Sequence, residues 1–141
     1  METTNTNEES KHDLMKWMMW LLRIGVFATF IGHGTIAFMG NPKWLPYLAV
    51  VGFYGETAMT VMKIIGALDI LLAISLLIKP LKPVLYWCTF WAFATAMMRP
   101  LSGEHILQFI ERGANWTVPL VLLLLTYYVE KKGKDQNLSA K

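Results

Sequence analysis

The sequence predicts an all-α protein, an integral membrane four-helix bundle with an amphipathic extracytoplasmic segment before the last span. Three observations carry that prediction. The chain is 55% hydrophobic and 16% charged, whereas about a quarter of a soluble domain is charged. The stretch WMMWLLRIGVFATFIGHGTIAF, residues 17–38, is long and apolar enough to cross a hydrocarbon core of roughly 30 Å. Three further apolar segments follow it, separated by prolines, glycines and basic residues. A chain of 141 residues allows one domain. In lipid the backbone must satisfy itself, and helices do so within each segment.

The predicted organisation is a polar, disordered amino-terminal stretch at 1–13, a membrane domain at 14–130 and a basic tail at 131–141. The spans fall at about 14–38, 58–78, 84–100 and 114–129. In the first, Gly25, Ala28, Thr29 and Gly32 recur at the three- and four-residue spacing of a close-approach face. Between the first two spans, 40–55 holds two prolines and three glycines, which argues against one regular helix. Trp44, Tyr47 and Tyr54 suit a membrane–water boundary, so this loop lies in the headgroup region or dips slightly in. Lys79-Pro80-Leu81-Lys82-Pro83 is a tight turn before the third span, in which Trp87 and Trp91 stand one turn apart. In 101–115, Glu104, His105, Gln108, Glu111 and Arg112 oppose Ile106, Phe109 and Ile110. That is the periodicity of an amphipathic helix.

Orientation follows from the basic residues. Lys11, Lys16, Lys79, Lys82, Lys131, Lys132, Lys134 and Lys141 lie on one side; Lys43, Arg99 and Arg112 lie on the other, with Lys63 near the edge. The positive-inside rule puts both termini in the cytoplasm. The net charge of +3 is accounted for by these edges and indicates no nucleic-acid partner. The lone Cys88 allows neither an internal disulfide nor a cysteine metal site, and no metal site is expected. No cleavable signal peptide is expected, because no small-residue cleavage site follows a short apolar run. Nine methionines scattered through apolar segments read as packing. Asn115-Trp116-Thr117 fits a glycosylation acceptor but lies against the membrane edge.

Two groups of ionisable residues stand out, because a charge inside a span is costly by at least ~2.5 kcal/mol and needs a partner, a cavity or a job. At about 1.5 Å per residue, Arg23 lies roughly 10 Å and Asp69 roughly 15 Å from the cytoplasmic edge, within reach of each other. They read either as a structural intramembrane ion pair or as a proton or ligand site. His33, Lys63 and Arg99 share a height near the outer edge, where Glu104 and His105 can join them. This set reads either as an extracytoplasmic polar site for a quinone headgroup, a small anion or protons, or as interface residues that snorkel to water. His33 and His105 are the residues a b-type haem would use as axial ligands. With only three histidines, one of them His12 in the polar stretch, hydrogen-bonded polar roles are the simpler reading.

Leu22-Arg23-Ile24-Gly25, Ile31-Gly32-His33-Gly34, Lys63-Ile64-Ile65-Gly66-Ala67-Leu68-Asp69 and Gly113-Ala114-Asn115-Trp116 resemble segments of the DoxX-like membrane family, over nearly the whole chain. The chain departs from that pattern in having Thr35-Ile36-Ala37 after the His-Gly, where a lysine is frequent, and in having Asp69 as its acid. The resemblance implies a small four-helix protein of the bacterial inner membrane. It further implies an accessory or electron-transfer-linked subunit of a quinone-related oxidoreductase complex, with membrane oxidoreductase subunits as partners beside the bilayer. Whether the chain is itself an enzyme, which ligand it takes and whether it forms a homo-oligomer are left open. The intramembrane charges also suit a small transporter or channel-like protein, and the fold suits a structural partner without chemistry.

Overall fold

The computed structural model describes residues 2–139. Among them are four long helices, α1 (Glu2–Phe38), α3 (Gly55–Ile78), α4 (Lys82–Leu101) and α6 (Gly113–Ser139), and two short ones, α2 (Leu45–Val50) and α5 (Leu107–Ile110). There is no strand among the described residues. Two helices, Ser10–Phe38 and Gly55–Ile78, are long and apolar enough to cross a membrane.

The helices form two closely packed pairs, α1 with α3 and α4 with α6, joined chiefly where α1 meets α6. One core layer gathers Val26 and Phe30 from α1, Ala73 and Leu76 from α3, Leu85, Cys88 and Ala92 from α4, and Leu122 and Leu123 from α6. A second, smaller layer joins Ala37, Leu48, Ala58 and Met62, and so seats α2 against the α1–α3 pair. Arg23 of α1 reaches the last turn of α3, and Lys82 at the start of α4 pairs with Glu130 of α6. The start of the apolar part of α1, the turn after α3 and the polar end of α6 therefore share one end of the bundle.

Both polar ends are helical rather than separate disordered segments. Residues 2–13 continue α1 and residues 131–139 continue α6; Met1 and the tail residues 140 and 141 lie outside the described residues. Once an apolar segment fixes a helix, each added residue gains one hydrogen bond without a new nucleus. The Lys16–Asp13 pair at 3.5 Å spans one turn at that junction.

The 101–115 segment departs from its helical periodicity in the opposite sense. Gly103 has φ +95°, a left-handed conformation that terminates a helix, and Ser102 and Gly103 close the end of α4. Only Leu107–Ile110 is helical before α6 starts. The 40–55 connection is a tight turn over Pro42–Trp44, then α2, then a chain reversal with Gly52 at φ +88° and Gly55 at φ +55°.

Small residues do permit a close helix crossing, at a different place from the expected face. Gly32 faces open space, and a Cβ on Gly25 would meet Val118 of α6 at an ordinary 3.4 Å. The crossing of α1 with α3 is made by Gly34 and Gly66.

Candidate functional site

A cavity of 380 Å³ lies between the α2-facing (outer) halves of α1, α3 and α4, under α2 and beside the start of α6. Its walls are mainly apolar: Phe30, Leu48, Val61, Ile65, Ala92 and Met98 all face it. Its polar groups include His33, Asp69, Trp91, Tyr47, Arg99 and Asn115. A concave, largely apolar space with a few placed polar groups is the usual form of a small-molecule site. Trp91 and Arg99 are eight residues apart on α4, so the cavity runs about 12 Å along that helix.

At its inner end stands Asp69, which is 5% exposed. Its Oδ1 has no hydrogen-bond partner, and neither does Nε1 of Trp91. Trp91 stacks on Trp87 at 5.8 Å with the rings 9° apart, which fixes the indole plane. Buried polar atoms are almost always paired, so two such atoms on one cavity wall mark this end as chemically incomplete. His33 Nδ1 lies 2.9 Å from the carbonyl oxygen of Thr29. A carbonyl only accepts, so Nδ1 carries the proton. The imidazole lies 5.9 Å from the Trp44 ring. Pro119 and Pro100 lack an N–H, so the carbonyls of Asn115 and Ala96 lose their usual helical donors; both residues line the cavity.

At the outer end three side chains close on one another. The Tyr47 hydroxyl donates to Glu104 Oε1 at 2.5 Å. One Arg99 nitrogen donates to the Tyr47 oxygen at 2.8 Å and to Glu104 Oε2 at 3.3 Å. The guanidinium also sits 4.9 Å from the centre of the Tyr47 ring. Burial first, then the hydrogen bond to Glu104, raises the Tyr47 phenol above the ordinary tyrosine value. The Tyr47 hydrogen bond, opposed next by burial and then reinforced by Arg99, holds Glu104 below the ordinary carboxylate value. This triad ties α2 to the end of α4. It also offsets much of the positive charge of Arg99. Arg112 bonds to the carbonyl and side chain of Gln108.

The expected Arg23–Asp69 ion pair is not formed. Arg23 Nε donates to the Leu76 carbonyl at 3.1 Å, a second nitrogen donates to that of Leu77, and the guanidinium lies 4.1 Å over the Trp20 ring. The reason lies in the turn that follows α3. A helix leaves its last four carbonyls without intrahelical donors, and Pro80 has no N–H to offer Leu76. Arg23 supplies those donors and places a cation at the negative end of the helix dipole. Arg23 thus stands level with Leu76, seven residues or about 10 Å from Asp69.

The outer set is only partly assembled. His33 and Arg99 line the cavity, and Glu104 joins through Arg99 and Tyr47. Lys63 is exposed, with its Cε beside Gly40, and does not line the cavity. His105 is exposed and its Nδ1 accepts from the backbone N–H of Leu107. His33 and His105 therefore do not face a common space, and the two-histidine haem ligation they were considered for is not assembled. Sequence reasoning missed Trp91, Tyr47 and Arg112 as cavity residues. The available signal was Trp91 itself, an indole donor on an apolar helix facing a buried acid.

Comparison of the chain with protein-family models, with curated proteins and with solved structures found no match.

Proposed function

We propose that the chain is a four-span, DoxX-like protein of the bacterial inner membrane whose cavity holds a quinone-type headgroup, as an accessory or electron-transfer-linked subunit of a membrane oxidoreductase complex. Four spans are supported by the surface. Only 22% of the apolar window of the first helix and 28% of that of α3 is buried inside the protein, unlike the core helix of a soluble domain. Large apolar side chains face outward on all four long helices, among them Leu21, Leu71, Phe90 and Leu124. Contiguous apolar surface of this kind marks contact with lipid or another protein. At 20 residues, α4 is about 30 Å long, enough to cross.

The cavity carries the functional reading. Its apolar walls suit a ring with an alkyl tail, and His33, Tyr47 and Arg99 stand where polar substituents of a headgroup would need partners. When bound, a quinone would supply the electron chemistry. The chain's own residues would orient the ring, exclude water and hold hydrogen bonds to its oxygens. A thermal-shift screen of the full chain with quinone analogues and small anions tests this. A ligand at ~100 times its Kd adds about 2.7 kcal/mol. His33→Ala should keep the wild-type melting temperature and lose the ligand-induced shift. No shift by any compound, or an equal shift in His33→Ala, contradicts the reading.

The unpartnered Oδ1 of the buried Asp69 supports a second reading, a small transporter in which that group carries a proton or cation. Asp69→Asn would then abolish uptake into liposomes, while quinone analogues would leave the melting temperature unchanged.

A further inference from the structure

The inner end of the cavity holds an unmatched acceptor and an unmatched donor. Asp69 Oδ1 is buried and unpaired, and Trp91 Nε1 is buried and unpaired. Both residues line the same space, and Trp91 stands near enough to Asp69 for the indole to hydrogen-bond the carboxylate, yet neither Nε1 nor Oδ1 has a partner of hydrogen-bond geometry. An ionised carboxylate only accepts hydrogen bonds and an indole N–H only donates. While Asp69 is ionised, a ligand carbonyl could satisfy Trp91 but not Asp69, and an ammonium group could satisfy Asp69 but not Trp91. A hydroxyl satisfies both, because it donates through its proton and accepts through its lone pairs.

We infer that the inner end of the cavity recognises a hydroxyl on an otherwise apolar ring, a phenol or quinol, whose O–H donates to Asp69 while its oxygen accepts from Trp91. The inference rests on the ligand-site reading above and narrows it to the hydroxyl-bearing form of the headgroup. The apolar walls at Phe30 and Ala92 accommodate the ring beside that hydroxyl. A ligand without the hydroxyl would leave the carboxylate desolvated and unpaired, which is the arrangement that discriminates most strongly against an analogue.

The test uses the full chain in lipid nanodiscs with two redox-inert probes of nearly equal shape, 4-nonylphenol and its methyl ether, 4-nonylanisole. The phenol should bind at least about tenfold more tightly, the lower end of what a hydrogen bond to a charged group supplies. Asp69→Asn, which keeps an acceptor but loses the charge, should reduce that preference, and Asp69→Leu, which deletes the acceptor, should remove it. If neither variant folds, Trp91→Phe, which keeps the ring and deletes the donor, should weaken phenol binding. Equal affinity for both probes would mean that Asp69 and Trp91 satisfy each other or water; it overturns the inference and leaves the cavity as a ligand site. Binding of quinones with no binding of the phenol overturns it in the same way. Failure of the phenol, the ether and every quinone analogue overturns both this inference and the quinone reading.

Discussion

Gly34 of α1 and Gly66 of α3 meet backbone to backbone. A Cβ on Gly66 would stand 2.6 Å from the Gly34 carbonyl oxygen, and one on Gly34 would stand 2.9 Å from that of Gly66. This contact brings the cavity's two ionisable groups on the α1–α3 pair to one level, His33 beside Gly34 and Asp69 one turn beyond Gly66. Gly66→Ala forces two backbones apart, and overpacking of this kind costs about 1–3 kcal/mol. Gly32→Ala meets nothing and should be neutral or stabilising by up to about 1 kcal/mol from helix propensity. Unfolding of both variants in detergent checks the pair; equal effects would mean that the crossing is not tight.

Arg23 acts on the carbonyls of Leu76 and Leu77 and not on Asp69. Arg23→Leu should cost about 1.5–3 kcal/mol, the range for a hydrogen bond to a charged group. Asp69→Leu should not rescue it, because sites without shared partners add. Yield and melting temperature of the two single variants and the double variant decide this. Partial restoration in the double variant would restore the ion pair that the helix end has replaced.

The outer triad gives a pH dependence. Glu104 is held below its ordinary value of 4.5 in the folded protein. A carboxylate with a lowered folded pKa stabilises the fold fully above its unfolded pKa and loses that contribution as pH falls toward the folded value. The melting-temperature gap between wild type and Glu104→Gln should therefore be constant from pH 7 down to about 5.5 and shrink below about 4.5. Tyr47→Phe should remove much of that pH sensitivity by deleting the largest cause of the shift. A gap that widens on acidification would contradict the arrangement.

Four crossings with both termini inside require that single cysteines at Ser10 and Lys134, in a Cys88→Ala background, be shielded from an impermeant thiol reagent in intact cells and react after permeabilisation. A cysteine at Lys43 should react from outside. Labelling of Ser10→Cys or Lys134→Cys from outside would reverse or remove the orientation derived from the basic residues.

The helices were legible where apolar length alone decides, as in 17–38 and 58–78, because that signal is local. The partner of Arg23 was not, because Lys16 and Lys79, the basic residues at the ends of those two spans, do not mark one plane. In the structure Arg23 is level with Leu76, and that register is set by the Gly34–Gly66 contact between segments distant in sequence. The amphipathic period of 101–115 misled because Gly103 breaks the backbone regardless of side-chain pattern. Arg99 and Glu104 were legible as an outer polar pair, whereas His33, counted at their height, stands level with Asp69 deeper in the cavity. Tyr47 and Trp91 were not, because an aromatic near a membrane edge has the same signature whether it faces lipid or a cavity.

The most direct measurement is titration of the full chain in nanodiscs with an alkyl quinone, reading the tryptophan fluorescence. Trp44 and Trp91 both line the cavity, so a bound quinone should quench them saturably, with a single dissociation constant. Val61→Phe, which fills the cavity wall without adding an indole, should leave the fold intact and weaken that binding at least about tenfold, the equivalent of about 1.4 kcal/mol. Linear, unsaturable quenching that is the same in wild type and Val61→Phe would show only partition into lipid, and would contradict the claim that this cavity binds a headgroup.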